Sequence, residues 1–323
     1  MEIQKKHLVL IAGVAAGLIA SSAGAQEDYP NRPIRLIAPF APGGSTTYTA
    51  RTIGQQLTEA WGQQVVVDNR PGANTVIGTR IVATAPPDGY TLLIASSALA
   101  GNHTLVKTPY DALKDLVMIA SVMSYESVLV VPPTLPVKRV KDLIALAKAK
   151  PGHITFGTSS AGGTTHMLAE LFNLEAGIKT LHVPYKGGGP AVADLMGGHI
   201  QFFLSNPVNV SSQIHAGRLR ALAITGSARQ AAFPDVPTFA EEGLPGVRLT
   251  SWQGICGPAG MPKTIVNRIA AEMEKLLAKS ETKQTLSKLG FEPFYNNPEK
   301  TAAILMEDIA VHARIIKAAN IKL

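Results

Sequence analysis

Apolar and polar residues along this chain repeat with two periods. Short branched runs closed by Gly, Pro, Ser or Asn predict strands, and stretches with apolar residues three and four apart predict helices. Ile34–Phe40 predicts a strand, followed by a helix over about Thr47–Ala60 with Ala50, Ile53, Leu57 and Ala60 on one face. Val65–Val67 predicts the next strand, Thr75–Ala83 a helix, and Tyr90–Ala95 a third strand ending at Ser96-Ser97. Ser127–Val131, Gln201–Leu204, Leu219–Thr225 and Arg248–Gly254 read as further strands. Val140–Lys150 predicts a helix buried through Val140, Leu143, Ile144 and Ala147. The tail is helical, with Ile265, Val266, Ile269, Met273, Leu276 and Leu277 on one stripe and Asn297-Pro298 opening a last helix as N-cap and first turn. Alternating units of this kind predict an α/β protein with mostly parallel sheets.

Three strand-like runs end in Gly-rich loops: Ile34–Ala38 before Pro42-Gly43-Gly44-Ser45-Thr46-Thr47, Ile154–Phe156 before Gly157-Thr158-Ser159-Ser160-Ala161-Gly162-Gly163-Thr164, and Leu181–Tyr185 before Lys186-Gly187-Gly188-Gly189-Pro190. A helix that starts in such a loop leaves unpaired N–H groups at its positive end. Each loop is therefore a place for an anion, and three in one chain predict a receptor for a negatively charged small molecule.

Composition narrows this further. Lys5 and Lys6, the uncharged run Leu8–Ala20 and Ala23-Gly24-Ala25 predict a leader over residues 1–25, cleaved before Gln26, and an exported, periplasmic mature protein. The 323 residues suffice for two cores, and 46% hydrophobic against 16% charged residues excludes a disordered chain. The net charge of +7 favours anions, but its basic residues are scattered with few aromatics among them, so no nucleic-acid partner is expected. Cys256 is the one cysteine, which excludes an intramolecular disulfide and a thiolate zinc site, and the histidines show no metal-ligand spacing. No cofactor or metal is expected, and nothing suggests an apolar interface, so a monomer is expected.

Seven segments carry a family resemblance when their order and spacing are taken together: Tyr29–Ile34, Pro42–Thr46, Val67–Ala73, Pro87–Leu92, His166–Phe172, Val183–Gly187 and Pro237–Gly243. Across nearly all of the mature chain they resemble the solute receptors of tripartite tricarboxylate transporters, the Bug-type periplasmic binding proteins. The resemblance implies a type II periplasmic binding protein fold, two α/β domains joined by two crossing strands with the ligand between them. The boundaries expected here are residues 26–125 with 250–323, and residues 126–249. It also implies binding of a dicarboxylate, tricarboxylate or aromatic carboxylate rather than catalysis. The carboxylate would lie on Gly43, Gly44, Ser45, Thr46 and Thr47 from one side, and on Ser159, Ser160, Ala161, Gly162, Gly163 and Thr164 from the other. The partner would be a membrane transporter, with a membrane sensor kinase as the alternative.

Three departures from the family matter. Thr47 and Ser205 stand where the family usually has Asp, which would remove two negative charges and disfavour an amino-bearing ligand. Asn74-Thr75 stands where the family often has two glycines. Tyr185, before the third loop, is a candidate to stack on the ligand or donate its hydroxyl to it, and Trp252 a candidate floor of the cleft; hinge packing is the alternative for each. Lys186 serves the anion or is a solvated lysine. Enzyme readings fare poorly: Ala161 breaks the G-x-S-x-G elbow and no Gly loop ends in Gly-Lys-Ser/Thr. A hydrolase with Ser159 or Ser160 as nucleophile and His166 as base is the remaining alternative.

Overall fold

The computed structural model describes residues 29–322. The expected leader and its cleavage point lie outside the described residues. Ile34–Ala38 (β1) leads into Ser45–Trp61 (α1), Val65–Asn69 (β2) into Val76–Ala83 (α2), and Thr91–Ser96 (β3) into Ala98–Leu105 (α3). Leu116–Tyr125 (β4) passes almost directly into Val128–Val131 (β5). There follow Val140–Ala149 (α4), Thr155–Thr158 (β6), Thr164–Ala176 (α5), Leu181–Pro184 (β7), Gly188–Met196 (α6), Phe202–Ser205 (β8), Pro207–His215 (α7) and Arg220–Ile224 (β9). Ser251–Pro258 (β10) returns the chain to the first sheet, before Lys263–Ala278 (α8), Ser280–Ser287 (α9), Glu292–Asn296 (β11) and Pro298–Ala318 (α10).

Two sheets result. The six-stranded one has the order β11-β4-β10-β3-β1-β2, the five-stranded one β7-β6-β8-β5-β9. β1 is parallel to β2 and β3, and β6 is parallel to β7 and β8. The other pairs are antiparallel, which corrects the expectation of mostly parallel sheets. The reason is topological. A strand reached through a crossover helix comes back parallel. β5 and β10 are reached from the opposite sheet and run against their neighbours.

Several elements lay beyond the pattern reading. β10 begins at Ser251 rather than Arg248 and is buried at every position, as β4 nearly is, so neither shows a polar alternation. α1 starts at Ser45, two residues early, because Gly44 takes the extended N-cap conformation. Ala50, Ile53 and Leu57 are buried as expected, but Ala60 is exposed in the last turn. Gly54 fills the face instead, and a Cβ there would touch Val65 and Val67.

Each sheet carries apolar clusters on both faces. α10 belongs to both halves. Its Leu305 packs with Ile37 and Leu93 of the first sheet, while Ile315 and Ile316 join Phe172 and Phe202 of the second. Full burial of one such side chain contributes roughly 1.5–3 kcal/mol, so this helix is a substantial tie between the sheets.

Candidate functional site: a cleft between the two sheets

The C-terminal ends of the parallel strands of both sheets open on one chamber. This is where ligands bind in open α/β sheets, because the loops and helix starts there converge. The chamber encloses about 530 Å³, including its mouth. Five helix starts line it: Gly44, Ser45 and Thr46 of α1; Ala98 of α3; Gly163, Thr164 and Thr165 of α5; Gly187 and Gly188 of α6; Asn206 and Asn209 of α7. Phe40, Ala41, Ser96, Tyr125, Ser159, Ser160 and Gln253 complete the wall. No residue of this wall carries a charged side chain.

None of these five helices has a side-chain cap. The amides of Ser45, Thr46, Thr164 and Thr165 have no acceptor among the described residues. Such donors sum to roughly half a positive charge at each helix start. What the chamber offers is hydrogen-bond donors and positive dipole ends, which suits a carboxylate's acceptor oxygens.

The loop between β6 and α5 is braced from below. Thr165 Oγ1 accepts from Ser159 N at 3.0 Å, and His166 Nδ1 accepts from the Gly162 amide at 3.0 Å. The His166 ring stacks on His182, with centroids 3.9 Å apart. Burial, and then the neighbouring His166, push His182 down to about 4, against the pull of Glu170. His182 Nε2 lies 2.7 Å from Thr158 Oγ1. With Nδ1 held by Gly162, and Ser159 Oγ bonded to Thr165, His166 is not placed as a base for that serine. His166 Nε2 faces Glu170 Oε1 at 3.6 Å, so neither ring nitrogen is paired with Ser159 or Ser160 and the hydrolase arrangement is not formed among the described residues.

Other expected site residues are placed differently. Thr47 Oγ1 accepts from Asn69 Nδ2 at 2.7 Å and faces the end of β2. Ser205 is fully buried at the end of β8, paired with Val128, and its neighbour Asn206 faces the chamber instead. The two missing carboxylates therefore do not decide the wall's charge, because neither position is on it. Trp252 points into the core beside Cys256 and donates from Nε1 to Asp308 Oδ2 at 2.9 Å, while Gln253 takes the wall. The expected Trp252 floor is corrected in this way: successive strand residues face opposite sides. Gly43 and Gly162 shape their turns at φ 92° and 78° without lining the chamber.

A second recess of about 460 Å³ adjoins the chamber and shares Phe40, Ser159 and Ser160 with it. Ala161, Tyr185, Lys186 and the turn Gly72–Thr75 line this recess. The Tyr185 hydroxyl donates to Asp194 Oδ2 at 2.6 Å, and burial, then Asp194, push it up to about 12. Ala73, Asn74 and Thr75 hold φ of 44°, 49° and 74°, a left-handed stretch that favours glycine. Asn102 secures it by donating to Asn74 O at 2.7 Å and to Thr75 Oγ1 at 3.2 Å.

The pattern reading missed Tyr125, Asn206, Asn209 and Gln253. One signal was available: Asn206-Pro207 is the same Asn-Pro helix opening as Asn297-Pro298.

Fold and cleft together define a two-lobed α/β solute-binding protein. Comparison with known proteins agrees. BugT of Bordetella pertussis (strain Tohama I) is 37% identical over 318 residues, covering 98% of this chain and 96% of that protein. The structure of R. palustris Rpa4515 with adipate superposes with a TM-score of 0.89 at 33% identity, covering 91% of this chain and 99% of that one. MatC (Rpa3494) from Rhodopseudomonas palustris with bound malate gives 0.82 at 27% identity, covering 89% of this chain and 100% of that one. The family model for the tripartite tricarboxylate transporter family receptor matches residues 49–321, and the chain belongs to that family, as a receptor of the Bug type. Its members are solute-binding receptors, not enzymes.

Proposed function

We propose that this protein captures a small carboxylate in the chamber between its sheets, in the periplasm, and delivers it to a membrane transporter. One observation carries the reading. Five uncapped helix starts, drawn from both sheets, converge on a wall with no charged side chain. Each contributes roughly 0.3–1 kcal/mol toward an anion, more where water is excluded. A ligand touching both halves favours the closed arrangement, and closure is what a transporter would read. The moving lobes in this reading are residues 26–125 with 250–323, and residues 126–249. Ser45, Thr46, Ser160 and Thr164 hold the carboxylate, and the recess at Tyr185 and Lys186 takes the rest of the molecule. The carboxylates bound by two structural relatives, adipate and malate, support the ligand class.

A thermal-shift screen of the mature protein against aliphatic di- and tricarboxylates, aromatic carboxylates and amino acids tests this. Saturation at 100 times Kd adds about 2.7 kcal/mol, a rise of several degrees. A shift with amino acids alone, or with no carboxylate, would refute the assignment. Delivery is tested by uptake of the same acid into cells with and without the protein; equal uptake refutes it.

A further inference from the structure

Three separate pieces of chain meet at Ser45. Its Oγ accepts from Asn206 Nδ2 at 2.7 Å and from Gln253 Nε2 at 3.1 Å. Ser45 opens α1 on the six-stranded sheet, Asn206 precedes α7 on the five-stranded sheet, and Gln253 lies in the returning strand β10. All three are buried and all three form the chamber wall. Gln253 Oε1 accepts in turn from Thr49 Oγ1, which fixes the amide from its other end. Tyr125 adjoins the same group: burial raises its hydroxyl above the ordinary value, while Ser251, Gln253, Ser45 and Asn206 pull the other way.

A serine hydroxyl has two lone pairs and one proton. Here both lone pairs are taken by amide donors, so the proton is left to give, to the neighbouring Tyr125 hydroxyl or to a ligand in the chamber. We propose that Asn206 and Gln253 are positioning residues that fix Ser45 as an obligate donor, so that the chamber demands an acceptor atom opposite Ser45, as a carboxylate oxygen provides and an ammonium does not. The inference rests on the reading of this cleft as a carboxylate site. Asn206 reaches Ser45 from the opposite sheet, so the donor is set only when the two halves are closed. Closure and ligand polarity are then one event. An ammonium would meet Ser45 proton to proton, which is a repulsive means of discrimination.

Asn206→Asp tests the polarity with little change of shape. The charged carboxylate cannot donate and takes the Ser45 proton for itself. The protonated form donates as the amide does. Titration calorimetry uses adipate, malate, succinate and benzoate as probes, from about pH 8 down to about pH 5.5, with melting curves to confirm folding. The wild type should bind with little pH dependence. N206D should bind about 10- to 100-fold more weakly at the high end. An ordinary aspartate stays charged across that range, so the loss should persist throughout it. Gln253→Glu carries the same test from the other donor, should N206D fold poorly. Asn206→Ala should lose less than either and stay flat with pH. Folded N206D and Q253E that bind like wild type overturn the relay alone. A wild type that binds none of the four probes overturns the carboxylate reading and the relay with it.

Discussion

Two helix starts on the outside, those of α4 and α10, are built differently from the two Gly starts of α1 and α5 in the cleft. α4 and α10 begin on the outside and supply their own acceptors. Asp142 accepts from the amides of Lys138 and Arg139 at 2.9 and 3.0 Å, and these two bonds hold its carboxyl below the usual range. Asn297 Oδ1 accepts from Lys300 N at 2.9 Å. α1 and α5 begin in the cleft on Gly44 and Gly163, which have no side chain to offer. These two outer starts put their donors into stability. The inner starts of α1 and α5 leave donors open. The bracing of the inner loops comes from behind, through His166 and Thr165, where it leaves the front of the loop free.

The sharpest way to break this contrast is to cap an inner start. Gly44 is extended, at φ −92° and ψ 175°, and an added Cβ would meet nothing within 4 Å. Gly44→Asp should therefore fold and accept from the first-turn amides, raising stability by a few tenths to about 1 kcal/mol. Its charge occupies the anion's place, so adipate binding measured by calorimetry should fall at least ~100-fold. Stability and binding moving in opposite directions is the signature; parallel losses would contradict it.

Gly101→Ala attacks closure rather than charge. Gly101 of α3 lies against the Gly162 carbonyl across the cleft, and a methyl group would run into that oxygen. Alanine suits a helix interior better than glycine by up to ~1 kcal/mol, so the helix itself should not suffer. Binding should weaken by about tenfold or more as the halves are held apart, a cost of roughly 1.4 kcal/mol or more. Small-angle scattering with saturating adipate should show a more open molecule than wild type, and an identical profile with unchanged Kd would refute the contact's role.

On the outer side, Asn297→Ala should cost about 1 kcal/mol in chemical denaturation and leave adipate affinity unchanged. Any loss of affinity there would blur the distinction between the two kinds of start.

The smallest effect is a pH slope from the bracing histidines. His182 is depressed from 6.5 to about 4 in the fold, so the unfolded chain binds the extra proton between those values. Its contribution is complete above the ordinary value and is lost as pH falls through that window. His182→Phe keeps a ring beside Phe156 and His166, and should flatten this acid limb in denaturant midpoints measured at a series of pH values. His312 has the opposite sign. It is buried, but the Asp308 contacts outweigh burial and raise it, so its contribution is present at low pH and is lost as pH rises through the raised value. A wild-type acid limb that H182F leaves as steep as before would remove His182 from the account.

Legibility in the sequence followed how local the cause was. The βα units around Ser45, Ser160 and Gly188 were readable because a run of branched residues, a Gly loop and a helical stripe lie within some twenty positions of one another. The left-handed turn at Ala73–Thr75 was marked only by its departure from glycine, since Asn102, which secures it, is 27 or 28 positions away. β4 and β10 were hidden or misplaced because strands buried on both faces show no alternation. Tyr125 and Gln253 were invisible as site residues for the same reason, since both lie on those strands.

By itself the sequence determined that this chain makes βα units whose helices start on Gly-rich loops, and hence that it offers donor-rich places suited to an anion. Local propensity and backbone freedom suffice for that. Only the tertiary structure decided which of those starts share a chamber and that Asn206 rather than Ser205 reaches it. It also decided that Trp252 turns inward while Gln253 meets Ser45. A strand's facing and a hydroxyl's polarity are set by partners more than 150 residues away, at 161 and 208 positions for the two amides on Ser45.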